Sequence, residues 1–157
     1  MDFEEIQEGT IQANGLEFAY FELGEGPPVF CFHGYPDTAH TWILTMRVLS
    51  QLGYRVIAPF MRGYYPTEIP KDDEYSAVEL GQDVLELIKA FGYEQAIIIG
   101  HDWGAMAAYS AANQNPAAIS KMVTVAIPHP RALKLTLGGL WKSRHFIGYQ
   151  IRWYALW

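Results

Sequence analysis

Cysteine is almost missing from this sequence: Cys31 is the single cysteine among 157 residues. One cysteine excludes an internal disulfide and is typical of a protein from a reducing compartment. The N-terminus, M-D-F-E-E-I-Q-E-G, lacks the basic and apolar regions of a secretory signal. We therefore predict a cytoplasmic protein.

Long apolar runs and an excess of basic charge are missing too. No stretch of about 18 uninterrupted apolar residues occurs, which predicts that no helix spans a membrane. The formal net charge of -6 argues against nucleic acid as a partner. No G-x-G-x-x-G follows a predicted strand, no P-loop lysine motif occurs, and no carboxylates cluster as metal ligands would. We expect neither a cofactor nor a metal ion.

Short apolar runs that alternate with helical patterns are what the sequence has in abundance. Half of its residues are hydrophobic, which is enough for one compact domain with a core. The runs P-P-V-F-C-F, R-V-I-A-P and A-I-I-I-G predict buried strands, and residues 122–127 predict a fourth. Apolar positions between Ala77 and Phe91 predict an amphipathic helix. This alternation indicates an α/β fold with a mostly parallel sheet.

The two ends of the chain differ from this middle part. Near the N-terminus, loosely alternating residues predict antiparallel strands with a turn at Asn14-Gly15. After residue 130 the sequence becomes basic, aromatic and helical in propensity, so we predict a core over residues 1–130 and the beginning of a second, helical unit over residues 131–157. The aromatic tail needs a partner to bury it, which predicts a surface that can mediate self-association.

Three polar motifs stand where predicted parallel strands end. They are H-G-Y-P-D at residues 33–37, R-G-Y at residues 62–64 and G-H-D-W-G at residues 100–104. Ligands of doubly wound sheets bind beyond the carboxyl ends of the strands. We therefore expect the three motifs to converge in space, although R-G-Y also fits a purely structural loop.

The motif G-H-D-W-G has the pattern of a nucleophile elbow with Asp102 in the middle. Its glycines permit a tight turn, and the N-terminus of the following helix favours negative charge. A carboxylate is ionised at neutral pH and needs no histidine to activate it. Its attack on an sp3 carbon gives an ester that water can hydrolyse, so Asp102 predicts displacement at an epoxide or an alkyl halide. The alternative is an ordinary turn with Asp102 as the helix N-cap.

G-H-D-W-G, taken with H-G-Y-P-D, R-G-Y and A-I-P-H-P, resembles the α/β-hydrolase fold family, and within it the epoxide hydrolases. The resemblance runs from about residue 17 to residue 157. It implies that Asp102 is the nucleophile and that the backbone N–H groups of Tyr35 and Trp103 form the oxyanion hole. It also implies that His33 and Pro36 support this hole and line the substrate site together with Trp103, although a purely structural His33 is the alternative.

The resemblance further implies that residues 131–157 begin a helical cap over the site. Cap tyrosines of this family polarise the epoxide oxygen, and Tyr149 is our first candidate for that role. Tyr154 is the second candidate and is also expected to contact the substrate. Simple apolar packing is the alternative for Tyr149. The expected partners are a small apolar epoxide and water.

Two other functions stay open. Haloalkane dehalogenases share H-D-W-G, but they usually place Asn after H-G, where this chain has Tyr35, and this difference favours epoxides. The acid–histidine pair of the family should follow the cap, so we expect an N-terminal fragment that forms the alkyl ester without releasing it. A non-catalytic fragment or interaction domain is the remaining hypothesis.

Overall fold

The computed structural model describes residues 5–129, which form one six-stranded sheet and three α-helices. The strands are β1 (Gln7–Ala13), β2 (Leu16–Leu23), β3 (Pro28–Phe32), β4 (Arg55–Pro59), β5 (Ala96–His101) and β6 (Ile119–Val125). The helices are α1 (Ile43–Gln51), α2 (Ala77–Ala90) and α3 (Trp103–Gln114). The helical cap predicted for residues 131–157 lies outside the described residues.

The sheet has the strand order β1-β2-β4-β3-β5-β6. β3 pairs in parallel with β4 and β5, and β5 pairs in parallel with β6. β1 and β2 form an antiparallel hairpin, and β2 joins β4 in antiparallel orientation. The predicted α/β fold with a mostly parallel sheet is confirmed.

The hairpin turn lies where the sequence predicts it. Asn14 and Gly15 both have positive φ, at 44° and 75°, and Ala13 pairs with Leu16 across the turn. A two-residue turn with two positive φ angles matches the right-handed twist of the strands, and Asn-Gly is the pair that tolerates it best. Local sequence therefore determines the conformation of this hairpin turn.

The sheet is covered on both faces, as the strand β3 illustrates. Val29 and Cys31 pack in a cluster with Met46 of α1, whereas Phe30 and Phe32 pack on the opposite side. That second cluster contains residues of α2 and α3, namely Leu80, Val84, Leu87, Ile88, Ala107, Ala108 and Ala111. Continuous apolar sequence in β3 follows from this burial on two faces.

The burial predicted for the fourth core strand is wrong. The strand forms over Ile119–Val125 rather than residues 122–127, and most of its residues are exposed. Among residues 5–129, β6 has a strand neighbour on one side, β5, so it forms an edge of the described sheet. Apolar composition predicted the strand, but it could not place the strand within the sheet.

The order of the central strands places a topological switch point at β3. β3 lies between β4 and β5, so the chain moves to one side of β3 and later returns on the other side. The helices that follow β3 and β5, α1 and α3, belong to clusters on opposite faces. Loops that diverge in this way leave room for a ligand at the carboxyl ends of the strands.

Within residues 5–129, no helix is long and apolar enough to cross a bilayer.

Candidate active site

Hydrogen bonds join the loops that carry the three polar motifs at the carboxyl ends of β3, β4 and β5. The backbone N–H of Met61 donates to His33 Nε2 at 3.0 Å, which joins the loop after β4 to the loop after β3. The backbone N–H of Tyr35 donates to Asp102 Oδ1 at 3.1 Å, which joins the loop after β3 to the end of β5. The predicted convergence is confirmed.

Asp102 has a backbone conformation that residues other than glycine rarely adopt. Its φ is 53° and its ψ is -116°, directly between β5 and α3. Such a conformation costs on the order of 1–3 kcal/mol and persists only where the surrounding structure enforces it. The Asp102 side chain makes no capping hydrogen bond to α3, although it precedes the helix. Helix capping therefore does not explain the aspartate.

Close backbone packing explains the two glycines of the motif. A Cβ atom on Gly104 would overlap the carbonyl oxygen of Phe32, and a Cβ atom on Gly100 would overlap the carbonyl oxygen of Gly104. A Cβ atom on Gly34 would overlap the side chain of Asp102. These glycines let α3 begin directly against the end of β3, and they leave Asp102 at the turn between β5 and α3.

The surroundings of Asp102 combine a helix terminus with aromatic side chains. Asp102 immediately precedes α3, whose unpaired N–H groups favour negative charge. Trp103 is 44% exposed and Tyr35 is 46% exposed, so neither side chain belongs to the core. Pro36 is exposed and follows a cis peptide bond. Exposed aromatic side chains beside a carboxylate suit a partly apolar ligand.

A histidine and a second carboxylate lie beside this corner. Nδ1 of His101 is 3.8 Å from Oδ2 of Asp37, and both side chains are partly exposed. The pair links the last residue of β5 to the loop after β3, and it is an ion pair when the imidazole is protonated. The sequence placed His101 at the turn but did not indicate its partner.

Tyr64 belongs to the site more closely than the sequence indicated. Its ring packs edge-on against the His33 imidazole, with 4.6 Å between centroids. Burial, helped by the negative charges of Asp102 and Asp37, raises the pKa of Tyr64 to about 12. The R-G-Y motif therefore belongs to the site, because its tyrosine lies close enough to Asp102 for that charge to raise the tyrosine pKa.

His33 is fully buried, and both of its ring nitrogens have partners. Nε2 accepts from the Met61 N–H, so Nδ1 carries the proton and donates to the Gly34 carbonyl oxygen at 3.1 Å. The substrate contact expected for His33 does not fit this environment, because no surface of the side chain is open. The structure favours the alternative, a residue that holds the loop.

The burial of His33 predicts a pH dependence of stability. Burial lowers the pKa of His33 from its usual 6.5, a nearby His101 lowers it further, and the Gly34 bond and Asp37 oppose the shift. The native state therefore binds fewer protons than the unfolded state, so stability is complete above about pH 6.5 and is lost as the pH falls below it.

We expect His33→Asn to flatten this part of the curve of unfolding free energy against pH, as measured by urea denaturation. His40→Asn is the matched control, since it removes a histidine that is exposed instead of buried. An unchanged slope in His33→Asn would contradict the assignment.

A buried ion pair next to the site was missed by the sequence analysis. Arg62 donates from Nε and Nη2 to the two carboxylate oxygens of Asp83, at 2.8 Å and 2.7 Å. Asp83 lies on the buried face of α2, between Leu80 and Val84. A carboxylate in the apolar stripe of a helix was the available signal, because a buried charge needs a partner.

Two candidate residues cannot be placed, since Tyr149 and Tyr154 lie outside the described residues. Within residues 5–129, no group of three or more His, Cys, Asp or Glu side chains could hold a metal ion. The described part of the site thus consists of Asp102, the loop that donates to it, and the aromatic side chains around them.

Comparison with known proteins identifies the family of this fold. Residues 27–144 match the family model of the alpha/beta hydrolase fold, so the chain belongs to that family. An epoxide hydrolase of Caballeronia sordidicola is 36% identical over 124 residues, covering 78% of this chain and 38% of the relative. Epoxide hydrolase 4 of Homo sapiens is 31% identical over 151 residues, covering 92% of this chain and 41% of the relative.

Solved structures give the same result. The crystal structure of an epoxide hydrolase from Vigna radiata superposes with a TM-score of 0.77 at 33% identity, covering 85% of this chain and 45% of that chain. The predicted resemblance to epoxide hydrolases is confirmed by these relatives. The chain spans about two fifths of the length of the curated relatives named here.

Proposed function

We propose that this chain carries the nucleophile of an epoxide hydrolase, and that Asp102 is that nucleophile. Asp102 Oδ2 attacks one carbon of the epoxide, a C–O bond of the ring breaks, and the ring oxygen takes up a proton. The product of this step is a hydroxyalkyl ester of Asp102. Water then attacks the ester carbonyl carbon, which releases a vicinal diol and restores the carboxylate.

The single observation that carries this proposal is the hydrogen bond from the Tyr35 N–H to Asp102 Oδ1. Because Oδ1 is held by this donor, Oδ2 is the oxygen left for attack. Oδ1 then becomes the carbonyl oxygen of the ester, and it carries the negative charge when water adds. A donor aimed at that oxygen before the reaction begins is an oxyanion-hole donor.

The other residues of the proposal complete this chemistry. The N–H of Trp103, the first residue of α3, is the second oxyanion donor. A cap tyrosine, Tyr149 or alternatively Tyr154, donates the proton to the ring oxygen. The exposed side chains of Trp103 and Tyr35, with Pro36 beside them, contact an apolar substituent of the epoxide. The general base is assigned to no residue of this chain.

Incubation with styrene oxide, followed by an acid quench and intact mass spectrometry, tests the substrate class. We expect a covalent adduct whose added mass equals that of the whole epoxide, because ring opening loses no atom. A parallel incubation with 1-bromobutane tests displacement of halide. Bromide release with an alkyl adduct, and no adduct from the epoxide, would instead identify haloalkane chemistry. No adduct from either reagent on the folded chain would leave the interaction-domain hypothesis.

A further inference from the structure

We propose that the buried ion pair of Arg62 and Asp83 positions the oxyanion-hole N–H of Tyr35. Both are positioning residues, and they act through Met61 and His33. The inference rests on the proposed function of Asp102, since it assigns a task to the donor that binds this carboxylate.

The ion pair fixes one end of this chain of contacts. The side chains of Arg62 and Asp83 are 3% and 5% exposed, and two hydrogen bonds join them in a bidentate arrangement. Asn14 from the β1–β2 turn donates to Asp83 Oδ1 at 2.7 Å. Arg62 also reaches Glu79 Oε1 and the Glu74 carbonyl oxygen, each at 3.2 Å. The guanidinium is thus held by α2 and by the loop before it, and Asn14 holds its partner Asp83, so the position of residue 62 is restrained.

The backbone next to Arg62 carries this constraint to His33. Met61 precedes Arg62, and its N–H donates to His33 Nε2 at 3.0 Å. The N–H of Tyr64 closes the turn on the Met61 carbonyl oxygen at 3.0 Å, and the Tyr64 ring packs against the His33 imidazole. The imidazole is therefore fixed by a hydrogen bond at one nitrogen and by a ring contact on its side.

A single peptide plane carries the constraint from His33 to the catalytic carboxylate. His33 Nδ1 donates to the carbonyl oxygen of Gly34, and this carbonyl shares its peptide unit with the Tyr35 N–H. Because the peptide unit is planar, a bond that fixes the direction of C=O also fixes the direction of N–H. That N–H donates to Asp102 Oδ1 at 3.1 Å. A bond received at the carbonyl also polarises the N–H and strengthens its own bond.

The alternative is that Arg62 merely anchors α2 to the sheet, and a second ion pair of this chain provides the control for it. Arg55, the first residue of β4, donates from Nε to Glu22 at 2.6 Å and from Nη1 to Tyr93. Arg62 follows the opposite end of the same strand. Glu22→Gln therefore removes a second arginine–carboxylate pair, which is partly exposed and has one hydrogen bond, without touching the contacts that lead to His33.

The test compares Asp83→Asn and Arg62→Lys with Glu22→Gln in the 157-residue chain. The first readout is the pair of ring-nitrogen signals of His33 and the amide signal of Tyr35 in NMR spectra. We expect both Asp83→Asn and Arg62→Lys to shift these signals and to speed hydrogen exchange of the Tyr35 amide. Glu22→Gln should leave these signals and this exchange rate unchanged, even where it lowers the melting temperature. Arg62→Lys keeps the charge of the pair, so it remains informative where Asp83→Asn fails to fold.

The second readout is the rate of ester formation at Asp102 with styrene oxide. We expect at least about a tenfold lower rate at saturating epoxide in the Arg62 and Asp83 variants, with a half-saturating concentration that changes less than about twofold. Wild-type His33 and Tyr35 signals in the folded variants would overturn the inference. An absence of ester in the wild-type chain would instead refute the proposed function, while the NMR comparison would still decide whether the ion pair positions the loop.

Discussion

Asp102→Asn is expected to abolish covalent capture of an epoxide. The amide that replaces the carboxylate is uncharged and is a far weaker nucleophile, although it keeps the size and shape of the side chain. We expect the rate of adduct formation to fall by about a thousandfold or more, since removal of the attacking group removes the reaction and not merely a contact. Intact mass spectrometry after timed incubation with styrene oxide measures this rate.

Glu86→Gln is the matched control for this substitution. Glu86 lies on α2 and pairs with Lys89 at 2.7 Å, so the change also converts a carboxylate to an amide at constant shape. This control should form the adduct at the wild-type rate. An adduct that forms equally fast in Asp102→Asn would mean that the epoxide reacts elsewhere on the chain, and it would contradict the role of Asp102.

Gly104→Ala is expected to have the largest effect on stability. The added Cβ atom would overlap the Phe32 carbonyl oxygen and would lie 2.7 Å from the His33 carbonyl oxygen. Both are backbone atoms of the central strand and the residue after it, so neither can rotate away. The helix α3 would have to move off the sheet, at a cost of about 3 kcal/mol in the free energy of unfolding. Urea denaturation followed by circular dichroism measures this loss.

Gly92→Ala is the control that separates the effect of steric overlap on stability from the effect of a positive φ angle. Gly92 has a φ of 83°, but an added Cβ atom there would meet nothing within 4 Å. We expect its substitution to cost about 1 kcal/mol, because it only places a side chain in the left-handed region. A loss in Gly104→Ala no larger than that in Gly92→Ala would show that α3 does not pack against β3 as closely as described.

Local sequence was sufficient wherever a feature depends on neighbouring residues. The Asn14-Gly15 turn, the strand β4 and the sharp turn at Asp102 each follow from short patterns, because backbone conformation and hydrophobic periodicity are local properties. The convergence of the three polar motifs was also predictable, since it depends only on the direction of parallel strands.

Features that depend on contacts across the fold were not predictable in this way. The exposure of β6 depends on which strand lies beside it, and no property of residues 119–125 encodes that neighbour. The hydrogen-bond partner of His33 Nε2 is the Met61 N–H, which is a backbone group and has no sequence signature. The partner of Asp83 is Arg62 of the loop after β4, and no local pattern in α2 encodes that contact.

The loop after β3 has a buried side, which holds His33, and an exposed side, which holds Tyr35 and Pro36. From sequence, His33 and Pro36 were expected to contact the substrate, with a purely structural His33 as the alternative. In the structure the histidine lies behind the loop and Tyr35 lies in front of it, with one peptide plane between the two. The imidazole is buried and bonded at both nitrogens, and only the side of the loop that carries Tyr35 and Pro36 is open to solvent.

Side reactions of the epoxide reagent are limited by the same structure. Cys31 is fully buried in β3, and burial raises the pKa of its thiol to about 12. The thiolate is the reactive form of cysteine, so Cys31 should not compete for the epoxide. An adduct found after a short incubation with the folded chain is therefore expected on a carboxylate or an exposed histidine.

The measurement that tests the covalent mechanism most directly is the location of that adduct. The chain is incubated briefly with styrene oxide, quenched in acid and digested, and the peptides are sequenced by tandem mass spectrometry. The mechanism predicts one modified residue, Asp102, with the full mass of the epoxide attached to its carboxylate. A modification on His101, on Asp37 or on several residues at once, with Asp102 unmodified, would contradict it.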